Sequence, residues 1–87
     1  MIQEGFILRK MPGMNLVMPT GAKVKEFRGA LMLNDTGALI FSELKDGKTV
    51  DETAEVLCRE YDVTSDKAKA DIEKTIASLK EAGVINA

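Results

Sequence analysis

Gly29-Ala30-Leu31-Met32-Leu33-Asn34-Asp35-Thr36-Gly37-Ala38 is the stretch that decides the fold. Leu31 and Leu33 alternate with Ala30 and Met32, which is how a short strand sends one pair of side chains to each face. Asn34 follows with a side-chain carbonyl suited to accept from the free backbone N–H groups of a first helical turn. Asp35 then suits the positive end of the helix dipole. Upstream of Asn34 the chain reads as extended and rich in turns, and downstream it reads as helical to the end. The junction ties a small sheet to a helical half.

Toward the N-terminus, Gly5-Phe6-Ile7-Leu8-Arg9-Lys10-Met11 reads as a first strand with imperfect alternation. Pro12-Gly13 signals a turn, and Leu16-Val17-Met18 supplies a second short strand that Pro19 ends. Thr20-Gly21-Ala22-Lys23 reads as loop, and Val24-Lys25-Glu26-Phe27 as strand or connector. Arg28 to Leu33 is the better third strand.

Toward the C-terminus, apolar Ala38, Leu39, Ile40, Phe41 and Leu44 cover more than one face of the helix that Asn34 caps. That places it between the sheet and the later helices. Lys45-Asp46-Gly47-Lys48 ends it. Thr49 and Glu52 have the capping-box spacing, and Val50, Ala54, Leu57 and Tyr61 share one face of the helix that follows. Val63 plugs the core. Thr64 or Ser65 caps a last helix whose apolar stripe is Ala68, Ile72, Thr75, Ile76 and Leu79. Gly83 is a C-terminal stop with Val84-Ile85 packed beyond it. The expected architecture is α+β, two or three short strands followed by three helices, in a single domain spanning 1–87.

Composition narrows the function classes. The chain has 87 residues, 45% hydrophobic and 30% charged, which is globular rather than disordered. Its formal net charge of −2 gives no general attraction to nucleic acid. There is no histidine, and Cys58 is the one cysteine, so the commonest general base and a thiolate metal cluster are both missing. Cys58 falls in an amphipathic helical pattern and reads as a small core hydrophobe. The acidic side chains alternate with Lys and Arg on helix surfaces, as around Glu55-Arg59 and Glu73-Lys80, and read as solvated faces. No glycine pattern forms a phosphate loop. The expectation is a protein that is not an enzyme, with neither cofactor nor metal. It has no apolar run of membrane-spanning length and no signal-like start, so it is expected in the cytoplasm without a membrane partner.

Two binding readings remain. In a winged helix-turn-helix DNA-binding regulator, the last two helices would form the helix-turn-helix and the strands would form the wing. The would-be recognition helix opens Ser65-Asp66-Lys67-Ala68-Lys69-Ala70-Asp71, which mixes both signs and offers no Arg, Asn or Gln to read bases. In a peptide-binding module, the third strand is short, apolar and free of proline, so its backbone can accept an added strand.

The ordered set Gly29-x-Leu31-x-Leu33-Asn34-x-Thr36-Gly37-Ala38, Leu44-Lys45-Asp46-Gly47, Thr49-Val50, Ala54-x-x-Leu57, Tyr61-Asp62-Val63, Ala70-Asp71-Ile72, Leu79 and Gly83-Val84-Ile85 resembles the PqqD-like family. These are small proteins of peptide-modification pathways, named for the D protein of pyrroloquinoline quinone (PQQ) biosynthesis. The resemblance implies a winged-helix-like fold, a three-stranded sheet packed on three helices. It implies a peptide chaperone, a recognition element (RiPP recognition element) for ribosomally made precursor peptides. Such an element holds the leader as an added strand and presents the core to a partner, a radical S-adenosylmethionine (SAM) maturase or another modifying enzyme. Carried onto this chain, one wall of the groove is Arg28, Gly29, Ala30, Leu31, Met32 and Leu33. The other is Lys67, Ala68, Asp71, Ile72, Thr75 and Ile76. An exposed edge also permits either a monomer or a strand-paired homodimer. The namesakes carry a Pro-Glu pair after the second strand and often a Cys before Asp46-Gly47. Here Pro19-Thr20 and Lys45 stand instead, which points to a relative serving another peptide pathway.

Overall fold

Three antiparallel strands precede the helical half. The computed structural model describes residues 2–27 and 30–85. Strands β1 (Phe6–Met11), β2 (Met14–Pro19) and β3 (Leu31–Leu33) form one sheet in the order β1-β2-β3. Helices α1 (Lys23–Glu26), α2 (Asp35–Lys45), α3 (Val50–Tyr61) and α4 (Ser65–Ala82) complete the α+β fold. Pro12 and Gly13 make the β1–β2 turn; the proline ring holds its own φ and Gly13 takes φ +79°.

Of the third strand expected over 28–33, the described residues show Leu31–Leu33 as strand, paired with β2 from Val17↔Leu31 to Asn15↔Leu33. Arg28 and Gly29 lie outside the described residues. One difference from the sequence reading has a plain cause. The segment read as strand or connector contains instead a single helical turn, α1, a fourth helix. Lys23 N donates to Thr20 O at 3.1 Å and Phe27 N donates to Lys23 O at 2.8 Å. Phe27 then packs edge-on against Phe6, with ring centroids 5.1 Å apart.

The helix signals act where they were read. Asn34 Oδ1 accepts from Gly37 N at 2.7 Å, Thr49 and Glu52 form a reciprocal capping box, and Thr64 accepts from Lys67 N. Gly83 ends α4 with φ +86°, and Val84 and Ile85 are buried beyond it. Helix α2 does sit between two apolar clusters. Phe41 joins Phe6, Val17, Leu33, Leu79, Val84 and Ile85 under the sheet, while Ile40 and Leu44 join Ala54, Leu57, Ala68 and Ile72 among the helices. Each fully buried Leu, Ile or Phe contributes roughly 1.5–3 kcal/mol, so α2 is the element whose loss would open both clusters. Ile2 bridges to Ile85, which ties the segment before β1 to the segment after α4. Tyr61 was read on the buried face of α3 but is 43% exposed, because it falls in the last turn before Asp62 breaks the helix in the left-handed region. Among the described residues no helix is long and apolar enough to cross a membrane.

Candidate functional site

The hydrogen-bond register decides what the β3 edge offers. Thr20 N donates to Gly5 O at 2.7 Å, which makes Phe6↔Pro19 a pair whose own backbone groups point out of the β1–β2 ladder. Pairing alternates along an antiparallel ladder, so Asn15 and Val17 direct their groups toward β3 and bond to Leu33 and Leu31. The intervening Leu16↔Met32 pair is left turned away, and the N–H and C=O of Met32 face the open edge. This is the backbone pair a further strand would use.

Beside that edge runs an open groove of about 500 Å³, floored by Leu33 and Gly37 and walled by one face of α4: Lys67, Asp71, Lys74, Thr75 and Ser78. Gly37 is closely packed: a Cβ there would meet Asn34 Oδ1 at 3.2 Å and Leu33 Cβ at 3.3 Å, so these neighbours would have to give by a few tenths of an ångström. A smaller hollow of about 340 Å³ continues past Thr36, Lys67 and Asp71 to Leu57, Tyr61 and Val63. At the other end of β3, Ala30 and Leu31 border a third hollow with Phe27 and Ala82. Lys67 Nζ is 2.9 Å from Asp71 Oδ1, and Thr75 Oγ1 donates to Asp71 O within its own helix. Lys74 enters no ion pair among the described residues.

Of the residues expected to form the groove, Met32, Leu33, Lys67, Asp71 and Thr75 come together around it. Ala68 and Ile72 do not: both are fully buried in the helical cluster beneath, because the stripe that packs the core cannot also line the surface. Ile76 is half-buried and touches both clusters. Sequence reasoning assigned no groove role to Asn34, Thr36, Gly37 and Ser78. The usable signal was the 67, 71, 74, 75, 78 spacing, which is a second helical face beside the apolar stripe.

A sheet whose β3 edge is unpaired and lies beside a helix-walled groove defines a class of domain that can take an extended segment as an added strand. The chain belongs to the family of coenzyme PQQ synthesis protein D (PqqD), whose model matches residues 16–85. Two solved structures share the fold. The structure titled lasso peptide synthetase B1 complexed with the leader peptide is 26% identical with a TM-score of 0.78, covering 100% of this chain and 96% of that one. The structure titled TbiB1 in complex with the TbiA(beta) leader peptide is 17% identical with a TM-score of 0.77, covering 99% and 94%. A search of curated proteins gave no match.

Proposed function

We propose that this protein is a recognition element for the leader region of a ribosomally made precursor peptide, which it holds for a modifying enzyme. The observation that carries the reading is the outward-facing backbone pair of Met32 beside the β3–α4 groove. Membership of the PqqD family and the likeness to a leader-peptide complex support it. A guest strand running antiparallel would bond to Met32 through both groups, and the guest residue opposite Met32 would point to the outer face of the sheet. Its two neighbours would point inward, one over Leu33 and Gly37 and the other toward Leu31. Lys74 on the wall favours a carboxylate in the guest.

A modifying enzyme, with radical SAM chemistry or other, would receive the core region, and the domain itself would contribute binding rather than catalysis. The DNA-binding alternative is not favoured, since Lys67 and Lys69 on α4 face Asp71 and Asp51 at 2.9 and 3.7 Å. The test is titration with synthetic leader peptides of ribosomally made precursors, followed by backbone amide exchange. Binding should slow exchange at Met32 while Leu31 and Leu33, already bonded to β2, change little. Binding without protection at Met32 would refute strand addition.

A further inference from the structure

The two inward-pointing neighbours of a guest residue opposite Met32 would enter unlike surroundings. In an antiparallel pairing the guest residue before it stands opposite Leu33 and the one after it opposite Leu31. The position at Leu33 opens on the polar stretch of the groove, where α4 presents Lys74, Thr75 and Ser78. Lys67 on the same wall is engaged by Asp71 at 2.9 Å, so Lys74 is the cation left to meet a carboxylate. The position at Leu31 meets the hollow of about 280 Å³ bordered by Glu26 and by apolar Phe27, Ala30, Leu31 and Ala82. That space holds one large side chain. Glu26 lies 3.3 Å from Lys23, so the surface left for a guest there is apolar.

The connection between β2 and β3 builds this hollow. Helix α1 brings Phe27 edge-on against Phe6, and Lys23 Nζ at its start donates to Gln3 Oε1 at 3.0 Å. Gln3 Nε2 in turn donates to Gly83 O at 2.8 Å. Gln3 thereby ties α1 to the end of α4, the two sides that Phe27 and Ala82 give the hollow. The same linings set direction. Ala30 and Leu31 lie by Ala82 near the end of α4, whereas Leu33 and Asn34 share the groove with Lys67 and Asp71 near its start. Strand β3 runs against α4, so a guest antiparallel to β3 runs along α4.

Within β3 only Met32 turns its backbone groups to the open edge, and a slip of one residue would exchange the guest's inward and outward side chains. Unlike surroundings on the two sides of Met32 fix both register and direction. We propose that the guest carries, from N to C across Met32, an acidic residue, any residue and a large apolar residue, the carboxylate meeting Lys74 and the apolar side chain filling the hollow closed by α1. The proposal rests on the peptide-binding reading above and names the ligand class of that site. The reversed order would bury a carboxylate in an apolar hollow beside Glu26 and set an apolar side chain against Lys74. Order is therefore discriminated as well as composition.

The test takes the synthetic leader peptides that protect Met32 in amide exchange and replaces each of their positions by Lys and by Ala, against the full chain. One acidic residue, two places before a large apolar one, should respond. Its replacement by Lys should weaken binding to the wild type about tenfold or more and strengthen binding to Lys74→Glu. Replacing the apolar residue by Ala should cost about tenfold against the wild type but stay within about twofold against Ala82→Leu, whose side chain already fills the hollow. Ala30→Phe fills it from an exposed position and gives the same reading where Ala82→Leu lowers the melting temperature. A sensitive acid that follows the apolar residue, or costs that are equal in wild type and variants, overturns the proposal. A leader that protects Met32 and shows no such pair overturns it alone and leaves strand addition standing. If no leader protects Met32, the peptide-binding reading fails and this proposal fails with it.

Discussion

Lys45 Nζ donates to the carbonyl oxygen of Phe6 at 2.6 Å, across 39 positions of sequence. The pair matters because of where that carbonyl points. Phe6 belongs to the pairs whose groups leave the β1–β2 ladder outward, so its oxygen lies on the free edge of β1 as the groups of Met32 lie on the free edge of β3. A lysine at an edge is a common means of discouraging strand addition. The two edges therefore differ: a cation from α2 engages one, and a helix-walled groove flanks the other.

Lys45→Met keeps the aliphatic stem and removes the donor. It should cost about 1 kcal/mol, a fall of roughly 4–8 °C in Tm. Guest binding at β3 should hardly change, while sedimentation at rising concentration should show more self-association than the wild type through the freed β1 edge. A loss of guest binding without a change in self-association would mean that the two edges are not independent.

Proline placement separates the edge from the ladder. Met32→Pro removes an N–H that no partner in the sheet uses, so the domain should fold with near wild-type thermal stability and lose its guest. Leu31→Pro removes a donor to Val17 and should destabilise by about 1–3 kcal/mol. Thermal melts beside peptide titrations distinguish the two, and equal damage to stability would show the register to be shifted by one.

The local chemistry was legible in advance, and the long-range chemistry was not. Asn34, the Thr49–Glu52 box, Thr64 and Gly83 act within a few residues of themselves, so their roles can be read from spacing alone. Helix α2 could be placed between two layers because its apolar residues cover more than one face. The hydrogen-bond register of β3 was hidden because it depends on β2, another strand. The Lys45–Phe6 bond and the burial of Asn15 depend on tertiary placement in the same way. For the groove, the open edge was legible in a third strand that is short, apolar and free of proline, while its two walls were implied by the family resemblance. The α4 wall was blurred because Ala68 and Ile72 share a helix with Lys67, Asp71 and Thr75, and only packing tells which stripe faces in.

Glu52 carries a testable pH dependence. Hydrogen bonds from the backbone N–H and the side chain of Thr49 hold its carboxyl below the ordinary value of 4.5. A lowered folded-state value means that the stabilisation is fully present above 4.5 and is lost as pH falls through the lowered value. The Glu52→Ala variant should therefore be less stable than wild type at neutral pH, with the gap closing in acid. Carboxyl titration by NMR should place Glu52 below the ordinary value of 4.5.

Asn15 joins the sheet to the start of α2 at the point where β3 ends. It is buried, and its Nδ2 donates to Leu33 O at 3.2 Å and to Asp35 Oδ1 at 3.0 Å. Asn15→Ala removes both bonds, but Leu33 O keeps its ladder partner and Asp35 can turn to water, so the loss should be about 1–2 kcal/mol. Asn15→Asp is harsher at neutral pH, since it sets a second carboxylate against Asp35 and an acceptor against a carbonyl. Burial and that repulsion raise the new carboxyl's pKa, so the variant is penalised while charged and relieved as pH falls through the raised value. Once protonated, its O–H can again donate to Leu33 O. Denaturant unfolding should thus rank wild type above Ala above Asp at pH 7, with Asp closing on Ala near pH 4. If Asp stays equally far below Ala at both values, the contact with Asp35 is not what makes position 15 sensitive. Guest affinity should follow the same pH trend in the Asp variant, because the strand that offers Met32 is fixed at that end by this side chain.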